Sequence, residues 1–145
     1  MVLGVLTDIV VADASEASAV AADGDRLRTW PGVDAKGVDS VKLAILWGLL
    51  SNDPSKANAG ADFETLHEIP DEGPWVFRVP EELVQLLASL DDAGAASTAV
   101  AWAKAEEFVL DGWNAAAVRS ILSELRTLAR KTLSGRKSML MWMSL

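Results

Sequence analysis

Histidine, a residue type common at catalytic and metal sites, occurs once in the chain, as His67. It belongs to the stretch Glu64-Thr65-Leu66-His67-Glu68, whose Glu-x-x-His spacing places two ligands on one face of a helix in di-iron bundles. Such a site needs that pair twice and two further glutamates. Because a second histidine is missing and Pro70 follows closely, we predict strand or loop at residues 64–69 and no metal or cofactor.

Other catalytic patterns are also weak. The chain has no cysteine, which excludes disulfides, thiolate metal sites and cysteine nucleophiles. A hydrolytic triad is disfavoured because no Gly-x-Ser-x-Gly motif accompanies the single imidazole. Residues 134–138 superficially resemble a phosphate loop, but they lack its first glycine and follow a predicted helix instead of a strand.

Carboxylates and arginines remain as candidates for chemistry. Adjacent acidic residues, such as Glu81 and Glu82, do not face each other on a helix, so they form no acid–base pair as they stand. A pocket built on carboxylates would use Asp8, Glu68 or Glu107 as the base, and Arg78 or Arg119 as an anion clamp. The candidate pocket residues are therefore Asp8, His67, Glu68, Arg78 and Glu107.

Charge is distributed unevenly along the chain. The net charge is −8, which disfavours nucleic acid and anionic membranes as partners. Residues 114–145 nevertheless carry +5, which leaves −13 on residues 1–113. Either the acidic part folds against the basic helix, or a basic stripe stays open to a partner. The offsets of seven and four place Arg119, Arg126 and Arg130 on one stripe, and they are the candidate partner-binding residues.

The elements that position these side chains are clearest at residues 114–145. Apolar residues recur there at helical spacing, which predicts a long amphipathic helix. We expect Asn114 to cap its first turn and Gly135 to end it in a left-handed conformation. The apolar run 139–143 follows and is typical of a central strand that is buried on both faces.

The rest of the chain predicts three further strands and four further helices. The strands are 5–11, 64–69 and 75–79, the last two flanking a turn at 70–74. The first of these helices follows a capping box at Asp13, and the second spans 40–51. The third starts at Pro80, and the fourth runs from Asp91 or Asp92 to Gly112. Residues 25–37 and 55–61 are predicted to be loops. The last two helices should form an antiparallel hairpin.

The predicted fold is α+β and helix-rich, a single domain over residues 1–145. About five helices pack on a small mixed sheet of about four strands, with a C-terminal helical hairpin followed by a buried last strand. The helix at 40–51 is apolar all round, so it is either buried or shared with a partner subunit. No apolar run is long enough to span a bilayer, and the N-terminus lacks the basic region of a secretory signal. These features favour a cytoplasmic protein, and the composition is typical of a GC-rich bacterium.

Two functions fit this sequence. The first is a non-enzymatic interaction protein, either a homo-oligomer or a binder of a basic protein partner, resembling an immunity protein by analogy alone. Its acidity, its apolar helix and its shortage of catalytic residue types favour this reading. The alternative is a small-ligand-binding protein or an enzyme with a carboxylate-based pocket.

Overall fold

The computed structural model describes residues 6–69 and 73–144, so the first five residues, part of the predicted turn 70–74 and residue 145 lie outside it. The described residues form one five-stranded antiparallel sheet with strand order β2-β1-β5-β4-β3. The strands are β1 (Leu6–Ala12), β2 (Gly32–Asp34), β3 (Thr65–Glu68), β4 (Trp75–Arg78) and β5 (Ser138–Ser144). The helices are α1 (Ala17–Ala22), α2 (Arg26–Thr29), α3 (Ser40–Ser51), α4 (Glu81–Ala88), α5 (Asp92–Ala103), α6 (Glu106–Leu110) and α7 (Ala115–Ser134). The predicted α+β class is confirmed, although the sheet is antiparallel throughout and not mixed.

β5 is the central strand, as predicted, and apolar layers cover both of its faces. Met139 and Met141 belong to the larger core, which lies under α3, α4, α5 and α7. Leu140 belongs to a smaller core, which α1 covers from the other side. Successive side chains of a strand point to opposite faces of the sheet. A strand that is buried on both faces therefore needs an unbroken run of apolar residues.

α7 packs against α4, α5 and the sheet, and its start agrees with the prediction. The Asn114 side chain accepts a hydrogen bond from the Ala117 amide at 2.8 Å. The prediction for its end was wrong: Gly135 has an ordinary φ of −84°, and Arg136 takes the left-handed conformation with a φ of 54°. Backbone bonds from Arg136 to Leu133 and from Lys137 to Thr132 close the helix as a Schellman motif, whose left-handed position lies one residue later than expected.

The predicted helix from Asp91 or Asp92 to Gly112 is divided into α5 and α6 by a break at Lys104 and Ala105. In a continuous helix, Trp102 and Phe108 would point about 120° apart, because six residues at about 100° each fall about 120° short of two full turns. Both side chains are fully buried, and their rings meet edge to face at 4.9 Å. The break is what allows both of them to enter one core.

Two stretches predicted as loops contain structure. Residues 25–37 hold α2 and the three-residue strand β2, and Pro54–Asp62 forms a 3-10 segment. This 3-10 segment packs against α3 so closely that a Cβ on Gly48 would lie 2.9 Å from the Ala57 Cβ. The segment and the core together cover most of α3, with Val41 and Leu49 left partly exposed. The apolar character of α3 is therefore largely explained within one chain.

Among the described residues, no helix is long and apolar enough to cross a membrane.

Candidate functional site

The five candidate pocket residues do not converge on one site. Asp8 lies on β1 and Glu107 on α6, while His67 and Glu68 lie on β3 and Arg78 ends β4. The His67 Nδ1 atom is 3.4 Å from the Ser18 hydroxyl of α1, and Glu68 is exposed. Within the described residues, no group of three or more His, Asp or Glu side chains is arranged to hold a metal ion.

Asp8 is engaged by a buried arginine that the sequence placed in a loop. Arg26 donates from Nη1 to Asp8 Oδ2 at 2.8 Å and from Nε to the Val20 carbonyl at 3.2 Å. Its guanidinium also lies 3.6 Å from the centroid of the Trp142 ring. A carboxylate held in this way fixes α2 to the sheet and is poorly placed to act as a base.

The basic stripe of α7 is used largely inside the molecule. Arg130 donates to the carbonyls of Ala88 at 3.1 Å and Leu90 at 2.7 Å, at the end of α4. Arg126 donates from Nη2 to Asp92 Oδ1 at 2.9 Å and from Nη1 to the Leu90 carbonyl at 3.4 Å. These contacts satisfy carbonyls that a helix end leaves without partners. Arg119 is exposed and forms no ion pair within the described chain.

Arg78 lines a groove of about 560 Å³ between α3, the 3-10 segment, β4 and the start of α4. We call it the Trp47 groove, because the Trp47 ring of α3 forms part of its wall. Its charged lining residues are Lys56, Asp62, Glu64, Arg78 and Glu81. Of these, only Arg78 was a candidate from the sequence.

Local contacts hold the wall of the Trp47 groove. The Trp47 indole donates to Glu82 Oε1 at 2.8 Å, and it meets the Phe63 ring edge to face at 6.4 Å. The Lys56 ammonium lies 4.6 Å from the Trp47 ring centroid. The indole face therefore already attracts a cation from its own chain.

Of the three carboxylates that line the groove, Glu64 is paired with Arg78, whereas Asp62 and Glu81 are not paired within the described part of the chain. Arg78 Nε lies 3.4 Å from Glu64 Oε2, within ion-pair distance but without hydrogen-bond geometry. Asp62 and Glu81 are exposed and take part in no ion pair within the described residues. A partner that enters this groove therefore meets an aromatic surface with unneutralised negative charge beside it.

The 3-10 segment begins at a carboxylate that stays ionised to low pH. Asp53 Oδ1 accepts from the Ser55 hydroxyl at 2.6 Å and from the Ser55 amide at 3.1 Å. These bonds lower the pKa of Asp53, with the hydroxyl as the larger cause. The pKa of Asp23 is lowered in the same way, first by the Thr29 hydroxyl and then by the Asp25 amide.

The sequence gives little sign of the Trp47 groove. Acidic residues such as Glu81 and Glu82 are expected at a helix start, and a tryptophan such as Trp47 is expected in a buried helix, so none of the three indicates a binding site from the sequence. The available signal was the polar segment 53–62 that follows directly on an apolar helix. Its contact with α3 depends on tertiary packing, which periodicity does not report.

Comparison with known proteins assigns the chain to no group. No protein family, curated protein or solved structure matches it.

Proposed function

We propose that the protein is a non-enzymatic interaction protein of the bacterial cytoplasm that binds a basic segment of a partner protein in the Trp47 groove. The observation that carries this proposal is the lining of the groove, in which an indole lies beside two carboxylates, Asp62 and Glu81, that form no ion pair within the described residues. Trp47 provides an aromatic surface that already makes a cation–π contact with Lys56, and Asp62 and Glu81 provide charged acceptors.

The overall charge favours the same partner. In the described part of the chain, five cations form ion pairs with carboxylates: Arg26, Lys42, Arg78, Arg126 and Lys137. Two of these, Arg126 and Lys137, are among the cations that make residues 114–145 positive, so part of that charge is committed to internal contacts. A chain of net charge −8 attracts a basic partner over a distance and speeds its encounter. Masking of a cationic protein, as an immunity protein does, is one form that this activity could take.

The groove is a better candidate than a self-association surface. The apolar face of α3 first suggested a homo-oligomer, but the 3-10 segment covers much of that face. The single histidine contacts one serine hydroxyl, and the candidate bases Asp8 and Glu107 lie on other elements, so the geometry lends little support to an acid–base enzyme.

A peptide of alternating arginine and serine residues tests the proposal by isothermal titration calorimetry at 0.15 M salt. The groove variant Asp62→Asn/Glu81→Gln should weaken binding roughly tenfold, because two partly exposed charge contacts are worth about 0.5–1 kcal/mol each. The control variant Glu106→Gln/Glu107→Gln changes the net charge equally on α6 and should leave the affinity within about twofold. Equal weakening in both variants would show that only the overall charge attracts the peptide, and would overturn the proposal.

A further inference from the structure

A second, smaller cavity shares Arg78 and Glu81 with the Trp47 groove. It measures about 260 Å³ and is enclosed by the end of α7, the start of β5, the end of β4 and the start of α4. Its charged and hydroxyl-bearing lining residues are Arg78, Glu81, Thr132, Arg136, Lys137 and Ser138. We call it the Arg136 cavity. Its lining contains three cations and one carboxylate, whereas the chain as a whole is acidic.

Two of the three cations retain free hydrogen-bonding capacity. Lys137 is paired with Asp13 at 3.1 Å. The Arg78 Nε atom is buried without a hydrogen-bond acceptor, because its contact with Glu64 is poorly aligned. Arg136 is exposed and forms no ion pair within the described residues. A buried N–H donor without an acceptor is costly unless a ligand or water completes it.

The backbone conformation of Arg136 is unusual for a residue that carries a side chain. Its φ of 54° is a conformation that glycine adopts at far lower cost than arginine, and a glycine stands immediately before it at position 135. The Schellman motif that ends α7 requires a left-handed residue at this position, and an arginine stands there. A strained residue beside a cavity is an observation from which function can be inferred.

We propose that the Arg136 cavity binds a small phosphomonoester, with the guanidinium groups of Arg136 and Arg78 as donors to the phosphate. The Ser138 hydroxyl is a further donor at the same wall. Glu81 accepts a hydrogen bond from a hydroxyl of the organic part, so an esterified phosphate binds more tightly than inorganic phosphate. The cavity is too small for a large cofactor and suits a compact ligand.

Thermal unfolding in glycerol 3-phosphate, in inorganic phosphate and in glycerol, at constant ionic strength and pH 7.5, tests this site. Glycerol 3-phosphate at ten times its Kd should raise Tm by about 4 °C in a saturable manner. The rise should shrink when the pH falls to about 5.5, because the second phosphate pKa is about 6. Glycerol alone at the same concentration should give no saturable rise.

Arg136→Gly is the decisive variant, because it removes the side chain and relieves the backbone, so it remains folded. It should abolish the phosphate-dependent rise in Tm, and Arg78→Gln should reduce the rise at least severalfold. Arg119→Gln removes the same charge elsewhere on α7 and should keep the full rise. A rise that persists in Arg136→Gly, that is absent from the unaltered chain, or that is lost equally in Arg119→Gln would overturn the proposal.

Discussion

Removing the Asp111 carboxylate should destabilise the protein more than removing its partner, the Lys42 ammonium. Lys42 lies in α3 with 2% of its side chain exposed, and Asp111 follows α6 with 43% exposed. The ammonium donates to Asp111 and, at 2.6 Å, to the Gly37 carbonyl. The two partners thus differ in how readily water can replace the lost contact.

The magnitude follows from this difference in exposure. Breaking a buried pair by removing one partner costs about 3–5 kcal/mol, because a charge stays buried without compensation. Asp111→Ala leaves the Lys42 ammonium with one acceptor, the Gly37 carbonyl. Because water can enter where the Asp111 side chain was, the loss in free energy of unfolding should be near the lower limit of this range, about 3 kcal/mol. Lys42→Met keeps the packed stem and leaves a carboxylate that water can solvate, so it should cost about 1 kcal/mol, mainly the hydrogen bond to Gly37.

Urea denaturation followed by tryptophan fluorescence measures both changes. With an m-value of about 2 kcal/mol/M, Asp111→Ala should lower the midpoint by about 1.5 M and Lys42→Met by about 0.5 M. In the double variant, Lys42→Met should recover most of the Asp111→Ala loss, because the buried charge is gone. Equal losses in the two single variants, or a double variant less stable than Asp111→Ala, would refute the reasoning.

Three further changes probe local contacts. Arg136→Gly should stabilise the fold by about 1 kcal/mol in urea denaturation, because glycine adopts a positive φ without the cost of a Cβ; an unchanged or lower midpoint would contradict this. Thr29→Val should raise the pKa of Asp23 in an NMR titration, because the Thr29 hydroxyl is the largest cause of its lowering. A lowered pKa gives stability that is present above the unfolded pKa and lost as pH falls through the folded pKa, so the two proteins should converge in stability at low pH. Arg130→Met should cost about 1 kcal/mol, because the Ala88 carbonyl loses its side-chain donor and the Leu90 carbonyl keeps only the longer bond from Arg126, whereas Arg119→Met should change stability by less than about 0.5 kcal/mol; equal losses would exclude the capping role.

The elements that were predictable from the sequence are those with long patterns or side-chain caps. α7 repeats its apolar residues over many turns, and β5 is a continuous apolar run, so both appear in the structure as expected. The cap at Asn114 was predictable as well, because an asparagine directly before a helical pattern can accept from an amide three residues further along, as it does here.

The elements that were missed are short or depend on distant partners. β2 has three residues and α2 has four, too few for a periodicity to emerge. The break between α5 and α6 arises because Trp102 and Phe108 must share one core, which is a tertiary requirement. The shift of the left-handed residue from Gly135 to Arg136 runs against local preference.

The candidate sites were less predictable than the fold. Arg78 was identified from its charge, but Trp47, Lys56 and Asp62 had adequate local roles in a helix or a loop. The stripe of Arg126 and Arg130 was predicted correctly as a row on α7. Its contacts with the end of α4 could not be foreseen, because they depend on how two helices cross.

Mapping the bound arginine–serine peptide by NMR at 0.15 M salt tests the proposed function most directly. We predict a saturable shift of the Trp47 indole N–H resonance, together with the amides of the segment Pro54–Asp62 that forms the groove wall. The indole resonances of Trp102 and Trp142, which lie away from the groove, should stay unchanged. Shifts spread over the acidic residues of α5 and α6, with no saturable change at Trp47, would contradict the assignment of the Trp47 groove as the binding site.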